Sequence, residues 1–116
     1  MNYLTLFNSA ITLSLMTKFA KYYQQMWEAH KQELSKFQDA HDAYKANQRS
    51  SDLKTQFDLI GKEARTIMEE WDARLCQQME KGNNSVFSSK VSEKFWTEIK
   101  KDFPLVDLVG VEISFV

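Results

Sequence analysis

One cysteine, one proline and three glycines in 116 residues leave this chain few of the devices that small folds use to turn, staple or cradle a ligand. A lone Cys76 excludes an intramolecular disulfide and points to a reducing compartment. It lies late in a helical pattern, between Leu75 and Gln77, and reads as a semi-buried side chain and not as a nucleophile. Gly61, Gly82 and Gly110 are isolated from one another, so no Gly-rich phosphate loop exists, and no serine has the context of a nucleophile elbow. So few obligatory turns favour long elements over many short ones.

Charge of one sign is missing as well. The formal net charge is −1, with acids and bases interspersed. Duplex binding draws its affinity from clustered Lys and Arg, so a nucleic-acid partner is not expected, and a polybasic membrane anchor is excluded for the same reason. The apolar stretch from Leu4 to Met16 raises the question of a secretory leader. It has no basic flank, is interrupted by Asn8, Ser9, Thr12 and Ser14, and is too short and polar to span a bilayer. A cytoplasmic protein with a membrane role unlooked for is the resulting expectation.

Histidine is scarce too. His30 and His41, the two that exist, are eleven residues apart, which on one helix separates their Cα atoms by roughly 16 Å. A carboxylate-bridged metal site in a bundle uses Glu-x-x-His repeats, but Trp27 and Gln38 stand three residues before these histidines. Both read as packed side chains; neither a metal nor another cofactor is expected. Glu69, Glu70 and Asp72 form the densest acidic group, yet on a helix they fan around most of a turn instead of converging on a substrate. No catalytic residue is assigned.

What the chain does have is amphipathic periodicity. Leu15, Phe19, Tyr22, Met26, His30, Leu34, Phe37, His41 and Tyr44 recur at three- and four-residue steps, predicting one helix over 9–47. Lys21, Gln25, Glu28, Gln32, Lys36, Asp39 and Lys45 supply its polar side, and Tyr23 and Trp27 widen the apolar stripe at its flank. Asn47 to Asp52 offers cap residues and a break. A second helix over 52–81 carries the seam Leu53, Phe57, Ile60, Ala64, Ile67, Trp71 and Leu75, regular enough to suggest coiled-coil packing. Gly61 inside it suggests a close helix–helix approach. Gly82-Asn83-Asn84 reads as its terminator. A third helix over 89–102 stacks Val91, Phe95 and Ile99, with Trp96 and Phe103 beside them, and Pro104 closes it.

The two ends differ in kind. Tyr3 to Phe7 reads equally well as a short strand, within 1–8, or as a helical start. In the last segment Val109, Val111, Ile113 and Phe115 alternate with other residues at a strand's period, predicting a strand over 105–116. Ser114-Phe115-Val116 also fits the ending that PDZ domains capture, a common chance pattern.

The fold class expected is therefore mainly α: an antiparallel long-helix hairpin, a third short helix and one or two short terminal strands, in a single domain over 1–116. A first helix longer than its partner would leave part of its stripe bare, which argues for a homodimer or another protein partner. The function expected is a non-enzymatic interaction module such as an adaptor, inhibitor, chaperone or regulatory subunit. Tyr23, Trp27, Val109, Val111, Ile113 and Phe115 are its candidate contact residues. A lipid- or granule-surface helical protein, and a bundle with a ligand or catalytic site between helices, are the alternatives.

Overall fold

The computed structural model describes residues 17–80 and 85–113, and among these the chain is mainly helical, with no strand. Helix α1 runs Lys18–Ala29, α2 Lys31–Ala46, α3 Ser51–Glu80 and α4 Ser85–Asp102; a single 3₁₀ turn, Val106–Leu108, follows. The expected strand over 1–8 and the Gly82-Asn83-Asn84 terminator lie outside the described residues.

Helices α1 and α3 start where the sequence supplies a side-chain acceptor. The Thr17 hydroxyl accepts the Ala20 N–H at 3.2 Å, and the Ser50 hydroxyl accepts the Leu53 N–H at 3.2 Å. These satisfy backbone donors that a first turn would otherwise leave unpaired. The short connection Asn47 to Ser50 folds α3 back on α2. Phe37 and Tyr44 of α2 meet Phe57 of α3, with ring centroids 5.6 and 4.9 Å apart.

The helix expected over 9–47 is interrupted. At His30 the backbone turns to φ −129° and ψ 39°, although the His30 N–H still reaches the Met26 carbonyl and the Leu34 N–H reaches the His30 carbonyl, each at 3.0 Å. The bend lets the two halves serve different neighbours. Beyond it α2 follows α3, while α1 turns so that it also lies along α4. Tyr22 meets Trp71 of α3 at 5.2 Å and Phe95 of α4 at 5.3 Å. A straight helix would hold one neighbour along its length and leave the third helix's apolar side open to water. Helix α4 begins at Ser85, four residues ahead of the expected start at 89.

Of the apolar stripe expected on the first helix, Met26, Leu34, Phe37, His41 and Tyr44 are buried, Phe19, Tyr22 and His30 are half-buried, and Leu15 lies outside the described residues. Phe57, Ala64, Ile67, Met68 and Leu75 bury the matching side of α3, and Val91, Phe95 and Ile99 that of α4.

The strand expected over 105–116 is overturned across its described part. The Val106 N–H bonds to the Phe103 carbonyl, Leu108 to Leu105, Val109 to Val106 and Val111 to Leu108, at 2.9 to 3.3 Å. Donors spent within the segment cannot enter a ladder. The burial period is accordingly three, with Val106 fully buried and Val109 half-buried, instead of two. Gly110 takes φ +76°, a left-handed turn that breaks any pleat.

Gly61 is explained by a close approach, but not between two helix backbones. A Cβ built there would lie 2.7 Å from Val109 Cγ2 and 2.9 Å from the Phe37 ring. Gly61→Ala is normally favourable in a helix by about 1 kcal/mol; here it should instead destabilise by about 1–3 kcal/mol, because the buried Phe37 ring has nowhere to move. Phe57→Ala should cost about 3–5 kcal/mol. Denaturant titration of both variants checks this, and a more stable Gly61→Ala would refute the close approach.

Candidate functional site

Three surface concavities contain the residues that the sequence singled out. One, about 690 Å³, runs along α3 from Thr55 to Glu69 and is closed on one side by the C-terminal tail. Thr55, Leu59, Lys62, Thr66 and Glu69 fall on it at four- and three-residue steps, so one face of α3 forms its floor. Val109 and Gly110 form the opposite wall. Leu59 is 69% exposed and Val111, just past Gly110, is 45% exposed; they are the large apolar side chains most open to water among the described residues. Asp58, Lys62, Arg65 and Glu69 put both signs of charge around the opening.

The wall is fixed by α3 itself. Lys54 Nζ reaches the Asp58 carboxylate at 2.7 Å and donates to the Val111 carbonyl at 2.8 Å. Asp58 Oδ1 accepts the Gly110 N–H at 2.9 Å. About two turns further along, Arg65 donates to the Val106 carbonyl at 3.4 Å and lies over the Trp96 ring at 5.4 Å. Asp107 is met by Lys100 at 2.9 Å. A second concavity, about 630 Å³, lies across the tail and is bordered by Tyr44, Ser50, Lys54, Val111 and Ile113. The tail thus separates two grooves that share Thr55, Asp58 and Gly110.

Tyr23 and Trp27 sit elsewhere, beside a third concavity of about 380 Å³ between α1 and α4. Tyr23 is buried and Trp27 half-buried, and both are engaged within the chain. The Trp27 Nε1–H donates to the Tyr23 oxygen at 2.7 Å, and the Tyr23 hydroxyl donates to Asp102 at 2.8 Å. Burial, together with donation to a carboxylate, holds the Tyr23 phenol protonated well above the ordinary tyrosine range. Of the six contact residues expected from sequence, Val109, Val111 and Ile113 are brought together on the tail, Tyr23 and Trp27 form a separate pair, and Phe115 lies outside the described residues.

The histidines are both packed. His41 is fully buried: its Nδ1–H donates to Asp42 at 3.0 Å and its Nε2 accepts the Leu105 N–H at 3.1 Å. These two contacts assign the tautomer. His30 lies edge-on to Trp71, centroids 6.0 Å apart. Among the described residues no three metal-ligating side chains converge. In the acidic group, Glu69 and Glu70 are exposed, and Asp72 accepts from the Ser92 hydroxyl at 3.1 Å. The indole N–H of Trp71 is buried without an acceptor among the described residues, while its carbonyl accepts the Tyr22 hydroxyl at 2.6 Å.

Leu59 escaped the sequence reading because it lies off the seam, between Asp58 and Ile60 on a polar side of the helix. An isolated leucine spaced four and three residues from Thr55 and Lys62 was the available signal. No protein-family model, no curated protein and no solved structure matches this chain.

Asp42 gives this region a pH signature. Donation from His41 is the main cause that lowers its carboxyl below the usual range. A carboxylate stabilised in the folded state contributes stability above its unfolded value, near pH 4, and loses it as pH falls through the lower folded value. Asp42→Asn should therefore flatten the acid limb of the stability profile below about pH 4. An unchanged slope in urea titrations across that limb would rule out the His41 contact as its source.

Proposed function

We propose that this chain is a non-enzymatic interaction module, and that it binds a protein through the groove between α3 and the C-terminal tail. The observation that carries the reading is Leu59. A lone exposed leucine on a convex surface needs no explanation. This one lies in a concavity of about 690 Å³ whose opposite wall is Val109 and Gly110. An apolar centre inside a polar rim is the arrangement of a small protein-binding patch.

The rim narrows the partner. Asp58 and Glu69 flank Lys62 and Arg65, which suits a segment that offers one or two aliphatic side chains between charges of both signs. A lipid surface would reward cations alone around the apolar centre. Among the described residues no helix is long and apolar enough to cross a membrane. The partner is another protein or a second copy of this chain, as the surface serves either.

A photo-crosslinking residue at position 59 of the full chain, in its native host, identifies what the groove meets; the purified partner is then titrated calorimetrically. Leu59→Asp should leave stability within about 0.5 kcal/mol, since the side chain is exposed. It should weaken partner binding at least about tenfold. Binding that is indifferent to Leu59→Asp would overturn the assignment. Sedimentation of the chain alone over a range of concentrations decides whether that partner is a second copy.

A further inference from the structure

The tail divides into a part that is core and a part that is not. Phe103 and Val106 are fully buried, and Arg65 and Lys100 pin the 3₁₀ turn between them and Val109. Beyond that turn the character changes. Val109 and Ile113 are half-buried, and Gly110, Val111 and Glu112 are exposed. What holds this stretch to α3 is mainly the Val109 side chain and two polar contacts, while Ile113 also packs against the core and the Val111 N–H bonds back to the Leu108 carbonyl. Val109 fills the notch left by the missing side chain of Gly61. Asp58 takes the Gly110 N–H, and Lys54 donates to the Val111 carbonyl.

Both polar contacts go to backbone atoms, so they suit any segment that presents an N–H and a carbonyl at that spacing. The same short stretch walls the Leu59 groove on one side and borders the second groove on the other. Segments with few buried apolar contacts and solvent-facing hydrogen bonds open locally at far lower free energy than the core they cover.

We propose that residues 109–113 are a releasable strap, an intramolecular occupant of the Gly61 notch. Its lifting joins the two grooves into one trough for a partner segment. The inference rests on the docking reading above for the trough's use, but not for the strap's opening. The occupant that replaces the strap copies its chemistry: a β-branched aliphatic side chain for the notch, followed by a backbone N–H for Asp58 and a carbonyl for Lys54. The hinge is the end of the 3₁₀ turn, where the buried Val106 stays in place.

Native-state hydrogen exchange on the full chain, without any partner, tests the strap directly. The Gly110 and Val111 amides should exchange at least about tenfold faster than the amides of residues 57–68 in α3, which require a larger opening. Val109→Ala and Asp58→Ala should each speed the strap amides further while leaving the amides of residues 62–68 unchanged. Strap amides that exchange only as slowly as those of α3 would overturn the proposal. So would a variant that speeds both regions by the same factor, since the strap would then belong to the cooperative core. Because no partner enters this measurement, it can fail while the Leu59→Asp titration succeeds, and the reverse.

Discussion

The interaction on which the rest depends is the capture of Phe103 at the end of α4. Its ring stacks on Phe37 at 4.9 Å and on Trp27 at 5.9 Å, and meets His41 edge-on at 5.6 Å. Two elements thus close on this side chain just beyond the end of α4: α1 through Trp27, and α2 through Phe37 and His41. Immediately beyond, His41 accepts the Leu105 N–H. A buried amide without a partner would cost about 1–3 kcal/mol, so the imidazole both fills the aromatic cluster and satisfies the reversal at Pro104. That reversal sets the path of the tail along α3, the seating of Val109 on Gly61, and with it the wall of the groove that holds Leu59.

The bend at His30 belongs to the same arrangement. Tyr23 and Trp27 reach α4 only because α1 leaves the line of α2. They repay the bend with a hydrogen-bond relay to Asp102, at the end of α4. Charge is distributed to match. Lys94 and Lys18 lie over the Phe19 ring at 5.5 and 5.4 Å, and Arg74 over Trp71 at 5.1 Å, so half-exposed aromatic faces are covered by cations. Leu59, by contrast, stays 69% exposed in its groove, which is what supports the proposed docking there.

Helical periodicity made most of the core legible. Met26, Leu34, Phe37, His41 and Tyr44, then Phe57, Ala64 and Ile67, then Val91, Phe95 and Ile99 could be read as inward residues from spacing alone. The bend could not, because His30 is neither Pro nor Gly and keeps its i−4 hydrogen bonds; the cause is tertiary, the competing claim of α4 on α1. The tail misled for a related reason. The alternation of Val109, Val111 and Ile113 suits a strand, but the acceptor for Gly110 is Asp58, 52 residues away, and no local rule places it there. Of the site, the tail residues were visible as apolar side chains needing cover. Leu59 was not, since burial patterns select what faces inward and a groove is built from what does not.

The tail is folded onto the helices through His41, and imidazole nitrogen NMR can detect that contact. Long-range proton–nitrogen correlation on the full chain at neutral pH should show His41 protonated at Nδ1 and bare at Nε2. A scalar coupling across the hydrogen bond should link Nε2 to the Leu105 amide. A His41 ring protonated at Nε2, with no coupling to Leu105, would contradict the reversal at Pro104 and the groove that it builds.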